Sequence, residues 1–345
     1  MWIKRSAGLV PVMVLLLALS GCSGAPGGEE QAQAIRVGYF PNITHAQALI
    51  GLARGDFQAA LGPDVRIETT QFNAGPSVIE ALFAGEIDLS YIGPNPAING
   101  YVQSHGEALR IVAGATSGGA ALIVRGDSGI ETPADLAGSH LATPQLGNTQ
   151  DVALRNYLLT LGLDTTDRGG SVEITPTKNP DILDLFRLGE IDGAWVPEPW
   201  ASRLITEGQG RLLVDERDLW PEGDFTTAMV IVRTEFLEAH PEWVKAWLTA
   251  HVEITQWALE HPDEAKSLIN TEIETLTGSK LADVVLDQAW DRMRITWDPI
   301  SNSLFDSADA AYAIGFLNEE PDLSGIYDLA LLNEVLASKN LPEIH

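Results

Sequence analysis

Short apolar runs and helix-period stretches alternate along most of the chain. Ile35-Arg36-Val37-Gly38-Tyr39-Phe40 reads as a buried strand, and a helical pattern follows over 46–54. Residues 65–69 alternate as a strand, 78–84 are helical, 87–92 read as a strand, a further helix opens at Asn95 or Pro96, and 109–115 read as a strand. After Ser117-Gly118-Gly119 the alternation restarts. Strands are expected at 120–124, 140–143, 172–176 and 191–196. Helices are expected to open at Thr132-Pro133, with Thr132 as N-cap, at Thr149, and over 181–187. Strands alternating with helices predict mainly parallel sheet covered on both faces.

A different regime begins after a β-branched strand at 226–233. Long helical segments are expected at 241–261, 262–270, 280–293, 304–317 and 326–337. In the first of these, Trp243, Val244, Trp247, Leu248, Ile254 and Trp257 recur at helical spacing and read as core. Packing of this tail back onto the first lobe makes the chain cross between lobes twice, near Gly118-Gly119 and near 225–230. That divides the chain into 35–118 plus 228–345 as lobe one and 119–227 as lobe two. An internal echo supports two similar α/β lobes. Leu82-Phe83-Ala84-Gly85-Glu86-Ile87-Asp88 matches Leu185-Phe186-Arg187-Leu188-Gly189-Glu190-Ile191-Asp192 apart from one extra residue, about 103 positions on. Each copy leads into Pro-x-Pro, and each reads as helix, Gly C-cap, short turn, strand, then a loop opening a helix.

Charge changes the picture of partners. Lys and Arg number 21 against 48 Asp and Glu, a formal −27 over 345 residues. So few cations argue against nucleic acid, whose phosphates bind through clustered Lys and Arg. No Walker loop, G-x-G-x-x-G after a strand, H-E-x-x-H or G-x-S-x-G is present. No catalytic residue, cofactor or metal site is therefore assigned, and the histidines at 240, 251, 261 and 345 read as solvated or capping.

The distinctive feature is a set of polar, Gly- and Pro-containing loops, each after a strand and before a helix: 41–45, 73–77, 93–95, 117–119, 145–151 and 196–200. None contains Lys or Arg. In open α/β sheets ligands collect at the carboxyl ends of strands, where helix N-termini present free N–H groups and a positive dipole end. Converging ends of this kind make an anion site without a cationic side chain. The candidate ligand-binding residues are Asn73, Gly75, Pro76, Ser77, Gly93, Pro94, Asn95, Ser117, Gly118, Gly119, Gln145, Asn148, Thr149, Gln150 and Asp151, with Thr227 beside them. Plainer roles stand next to these: Gly75-Pro76-Ser77 and Thr149 as caps, Pro94 and Pro96 as rigid turns, His45 as a helix-entry cap, Trp195 and Trp200 as core.

The N-terminus reads as an address. Lys4 and Arg5 precede an apolar run over 10–19 that is too short to span a bilayer comfortably. The run ends Leu19-Ser20-Gly21-Cys22, and Cys22 is the chain's single cysteine. This resembles the bacterial lipobox, which implies a signal peptide over 1–21, cleavage before Cys22 and lipidation of Cys22. The Gly-, Glu- and Gln-rich stretch through 34 then reads as a flexible tether. The expected location is the extracytoplasmic face of the cell membrane, held by acyl chains alone.

The lipobox, Ile35-Arg36-Val37-Gly38-Tyr39, the Gly-Glu-Ile-Asp unit leading to Gly93-Pro94-Asn95-Pro96, and Pro133-Ala134-Asp135-Leu136-Ala137-Gly138 together resemble solute-binding lipoproteins of ABC importers. The nitrate/sulfonate/taurine type, a group that also includes bicarbonate and thiamine-pyrimidine-precursor binders, is the most similar, over about 35–260. The resemblance implies an α/β, two-lobed periplasmic-binding-protein-like fold (type II): mainly parallel sheets flanked by helices, two crossover hinge strands and a helical C-terminal tail. It implies a monomer that closes on a small anionic or zwitterionic solute and delivers it to a permease driven by an ATPase. An aliphatic sulfonate or taurine is the first choice, nitrate or bicarbonate the next. A thiamine-pyrimidine precursor or other small heterocycle, or an enzyme on the same scaffold, are the alternatives. The resemblance further places Asn42, Thr44, His45, Trp195 and Glu198 near the solute's tail. A cleft-facing carboxylate at Glu198 or Asp151 would repel a sulfonate and welcome an ammonium, favouring a zwitterion or a bound cation.

Overall fold

The structure, a computed structural model, describes residues 33–344. The proposed signal peptide, Cys22 and the tether through Ala32 lie outside those residues, as does His345. Strand β1 (Gln33–Tyr39) begins two residues earlier than the tether assignment allows, since Gln33 and Ala34 already pair in parallel with Val65 and Arg66 of β2 (Val65–Gln71). Between them run α1 (Ala46–Arg54) and α2 (Asp56–Leu61). The chain continues through α3 (Gly75–Phe83), β3 (Leu89–Ile92), α4 (Pro94–Gln103) and β4 (Leu109–Gly118). It then enters a second sheet with β5 (Ala120–Arg125), β6 (His140–Thr143), α5 (Thr149–Thr160), β7 (Glu173–Pro176), α6 (Asn179–Leu188), β8 (Gly193–Pro197), α7 (Trp200–Thr206) and β9 (Gly210–Asp215). β10 (Thr226–Arg233) returns it to the first sheet. The tail follows as α8 (Thr234–Ala239), α9 (Pro241–Glu260), α10 (Pro262–Thr277), α11 (Asp283–Asp291), β11 (Met293–Ile295), α12 (Ser301–Ala313) and α13 (Ala330–Ser338).

The first sheet has the order β11-β4-β10-β3-β1-β2 and the second β7-β6-β8-β5-β9. The strands joined by helices are parallel, as the alternation predicts: β1 with β2 and β3, β6 with β7 and β8. The strands that carry the chain between halves run the other way. β10 is antiparallel to β3 and β4, and β5 to β8 and β9, so both sheets are mixed. The first crossover turns on Gly118 and Gly119, whose φ of 73° and 77° lie in the left-handed region that glycine enters without a Cβ clash. The second runs through two short 3-10 turns, Glu216–Leu219 and Pro221–Gly223.

The tail closes the core of the first half. Trp247 is fully buried and stacks on Phe57 with centroids 3.7 Å apart, while Val244, Leu248 and Ile254 fill the same core. Trp243 and Trp257 pack against its edge. His251 departs from its solvated reading. It is fully buried between Tyr91, whose hydroxyl lies 2.9 Å from Nδ1, and the Gly114 carbonyl, 2.9 Å from Nε2, and burial pushes it down to about 4.

The internal echo has a structural cause. In the first half Asp88 N–H donates to the Arg36 carbonyl at 2.8 Å and Asp88 Oδ2 accepts from Arg36 N–H at 3.0 Å. In the second, Asp192 N–H donates to the His140 carbonyl at 2.7 Å and Asp192 Oδ2 accepts from His140 N–H at 2.9 Å. In both halves a carboxylate satisfies a backbone donor of the parallel strand before the next strand begins.

Candidate functional site

Helix N-termini from both halves meet at one place. The first half brings the turn Asn42–His45 ahead of α1, the start of α3 at Gly75 and the N-cap of α4 at Gly93. The second brings Asn148, Thr149 and Gln150 at the start of α5, Asn179 at the start of α6, and Pro197 at the end of β8. α3, α4 and α6 each carry proline in the first turn, where the missing N–H costs nothing. None of the three has a side-chain cap, so their first-turn N–H groups keep unspent donor capacity. α5 is capped by Asn148, whose side chain accepts from Asp151 N–H. Among the described residues no Lys or Arg lines this cleft. Its positive character comes from aligned peptide dipoles, roughly half a charge per helix end.

The two halves touch here. Trp200 Nε1 donates to Asn42 Oδ1 at 3.0 Å, and Asn73 Nδ2 reaches the Pro144 carbonyl at 3.5 Å. Thr149 packs directly against Gly93, so closely that a Cβ at 93 would stand 3.3 Å from Thr149 Cβ. The enclosed space is about 20 Å³, room for about one water molecule. In this geometry the halves meet across the cleft, and a guest enters as they part and is gripped as they close on it again.

His45 is 2% exposed and stacks on Phe40 at 4.4 Å. Its Nδ1 accepts from Phe40 N–H at 3.3 Å, so the neutral ring carries its proton on Nε2. Burial pushes it down to about 3. It therefore supplies a neutral donor, not a cation. Thr44 is held by its own carbonyl, which accepts from Thr116 Oγ1 at 2.7 Å. Thr227 donates its hydroxyl to the Gly118 carbonyl and lines the cleft from β10.

Ten of the sequence-derived candidates share this lining: Asn42, Thr44, His45, Asn73, Gly75, Gly93, Asn148, Thr149, Gln150 and Thr227. The others lie elsewhere. Pro76 and Ser77 are half-buried in the first turn of α3, and Pro94 is buried in that of α4, all outside the lining. Gln145 is half-buried and also outside it. Ser117, Gly118 and Gly119 are spent on the crossover: Ser117 Oγ donates to Asp224 at 3.0 Å, Gly118 N–H to the Phe225 carbonyl at 3.1 Å and Gly119 N–H to the Arg292 carbonyl at 2.9 Å.

The two carboxylates expected to face the cleft do not. Asp151 is fully buried inside the second half, accepting from Thr143 Oγ1 and Gly147 N–H, both at 2.9 Å, and from Arg155. Burial pushes its carboxyl up against the pull of Arg155. Glu198, also fully buried, takes Arg292 at 3.0 Å and both the N–H and hydroxyl of Ser202 at 3.0 Å. The argument for a zwitterion from these two residues loses its basis. Asn95 and Trp195 line a neighbouring cavity that also touches Thr149.

Sequence reasoning missed Asn179, Phe40, Pro96, Pro144 and Pro197 in the lining. Asn179 matters most. It is 2% exposed, and its Oδ1 has no hydrogen-bond partner among the described residues. The signal was present: Thr177-Lys178-Asn179-Pro180 is a seventh strand-to-helix loop with a proline in the first helical turn.

A model of the NMT1-like family matches residues 28–272. A putative aliphatic sulfonates-binding protein of Bacillus subtilis is 27% identical over 95% of this chain and 96% of its own. The taurine-binding periplasmic protein of Escherichia coli is 29% identical over 68% of this chain and 69% of its own. Among solved structures, the alkanesulfonate-binding protein SsuA from Xanthomonas axonopodis pv. citri, bound to MOPS, superposes with TM-score 0.70 at 22% identity, covering 86% of this chain and 98% of that one. The periplasmic nitrate-binding protein NrtA from Synechocystis superposes with TM-score 0.72 at 16% identity over 90% of both.

Proposed function

The chain belongs to the NMT1-like family, and from that premise we propose that it is the extracytoplasmic substrate-binding component of an ABC importer for a small oxyanion, an aliphatic sulfonate first. The observation that carries this reading is the cleft where uncapped helix N-termini from both halves converge without a cationic side chain. An oxyanion there accepts from first-turn N–H groups, from the hydroxyl of Thr149 and the amides of Asn148, Gln150 and Asn179, and from His45. Charge-assisted bonds of this kind contribute about 1.5–3 kcal/mol each. Donors from both halves converge on one guest only when the halves are closed, so the guest favours closure by its differential affinity. Release to a permease and its ATPase, with the monomer tethered through lipid on Cys22, completes the reading. The names of the sulfonate- and taurine-binding relatives support the choice of solute.

The test is native mass spectrometry of protein purified without refolding, followed by calorimetry with ethanesulfonate, taurine, nitrate and bicarbonate. Micromolar or tighter binding of a sulfonate is expected. Binding of none of the four overturns the proposal.

A further inference from the structure

Beside the amide-lined cleft lies a larger cavity of about 340 Å³, and Thr149 lines both. Its wall is aromatic. Tyr157 meets Trp195 edge-on with centroids 5.4 Å apart, and Trp220 stacks on Phe225 at 5.4 Å. Glu216, 3% exposed, also lines it, its Oε2 accepting from Trp195 Nε1 at 2.7 Å. Asp306 stands exposed at the rim, and among the described residues no Lys or Arg lines the cavity.

We propose that this cavity is a second binding compartment that takes an organic cation, a substituted ammonium group held against the indoles and opposite Glu216, so that the preferred solute is zwitterionic with its anionic head in the neighbouring cleft. The inference rests on the oxyanion reading of that cleft and adds the second half of the ligand. A carboxylate buried among aromatic rings is poorly solvated, and burial holds Glu216 up at about 7. A cation in the cavity supplies the missing countercharge, and the aromatic rings of the wall favour a cation over an anion there. A neutral hydrocarbon tail would fill the same volume and leave the Glu216 carboxylate without a countercharge. Size points to a substituted nitrogen. A bare ammonium is close to the roughly 30 Å³ of a water molecule, whereas 340 Å³ falls within the range of small-molecule sites, about 300–1,000 Å³.

Calorimetry with 2-(trimethylammonio)ethanesulfonate and its isostere 3,3-dimethylbutane-1-sulfonate, in which carbon replaces the charged nitrogen, tests this directly, because the two share their shape and their sulfonate and differ only in the cationic centre. The wild-type chain is expected to bind the zwitterion at least tenfold more tightly, and Glu216→Gln to bring the two affinities within about threefold of one another. Equal affinities in the wild type overturn the proposal, and that comparison decides even if Glu216→Gln does not fold. If no sulfonate binds, the cavity is judged alone by titrating tetramethylammonium chloride against indole fluorescence, and the oxyanion reading fails only if nitrate and bicarbonate do not bind either. A saturable change that Glu216→Gln abolishes supports the cation compartment, and no saturable change overturns it.

Discussion

Gly93→Ala places one methyl group at the seam between the halves. The backbone there has φ −80° and ψ 163°, ordinary extended values, so alanine meets no conformational strain. Alanine is a poorer N-cap than glycine, a cost below about 1 kcal/mol that open and closed forms share. The remaining effect is steric. The new methyl falls inside the van der Waals radius of Thr149 Oγ1, 3.3 Å from Thr149 Cβ and 3.4 Å from the Thr227 carbonyl oxygen. Thr149 belongs to the opposite half, so the clash exists only on closure. Overpacking of this size costs about 1–3 kcal/mol, which weakens a ligand that needs the closed form by roughly fivefold to 150-fold. Calorimetry with ethanesulfonate measures it, and urea unfolding without ligand supplies the control, because the free chain escapes the clash by opening. Affinity within twofold of wild type would refute the reasoning. So would a loss of unfolding free energy as large as the loss of binding, which would make Gly93 a core position instead of a seam.

Asn179→Asp puts a carboxylate among the helix N-termini and should cost ethanesulfonate at least tenfold in affinity, whereas Asn179→Ala should leave thermal stability within about 1 kcal/mol, since the Oδ1 it removes is unpaired. Arg292→Met strands Glu198 as a buried carboxyl without its cation, and urea unfolding should show about 3–5 kcal/mol of lost stability, partly recovered by adding Glu198→Gln. For Glu216, raised to about 7, the folded chain holds its proton where the unfolded chain has released it, so between about pH 4.5 and 7 stability falls as pH rises. Glu216→Gln should therefore gain on wild type by an amount of the order of 3 kcal/mol between pH 4.5 and 7.5, and a pH-independent difference contradicts the burial argument. His45 and His251, lowered to about 3 and about 4, act in the opposite sense. The unfolded chain takes up their protons first, so stability is present above about pH 6.5 and falls on acidification, and His45→Asn should flatten the urea midpoint's decline between pH 6.5 and 4.5.

Much of the scaffold was legible because it is written in local periodicity. The strands and helices of both parallel units follow from apolar spacing, and Thr132 caps its turn as its sequence suggests, in a reciprocal box with Asp135. The misses are elements fixed from a distance. β11 is three residues long and exists because it pairs with β4 across the crossover. α10 runs seven residues past its expected end: the Asn270 side chain is bonded to both backbone groups of Leu281, at 2.8 and 2.9 Å, instead of breaking the helix. The site divides the same way. The topological position of the strand-to-helix loops could be read, and most of the lining comes from them. The fate of each side chain could not, because partners far apart in sequence decide it, Arg292 for Glu198 and Asp224 for Ser117.

The repeated half explains why the cleft lies where it does. Asp88 and Asp192, like Arg36 and His140, are 104 positions apart and make the same backbone exchange. The same offset carries Phe40 to Pro144, Thr44 to Asn148, His45 to Thr149, Gly75 to Asn179 and Gly93 to Pro197, and all ten of these residues line the cleft. The site is thus built from equivalent turns of two similar units facing each other, so the approach of helix N-termini from both sides follows from the repetition and needs no separate selection of each loop. What the repetition does not supply is chemistry. Glycine in one half stands opposite asparagine or proline in the other, and His45 opposite Thr149. The first half yields room at Gly93, which Thr149 of the second half fills, whereas Gly75 makes room for Pro96 of its own half. A symmetric cleft would offer only backbone amides to both sides of a guest. This one sets the side chains of Asn148, Thr149, Gln150 and Asn179 opposite those of Asn42, Thr44, His45 and Asn73, so discrimination among oxyanions should respond more strongly to substitutions at 148, 149, 150 and 179 than to one at 93, which acts on closure.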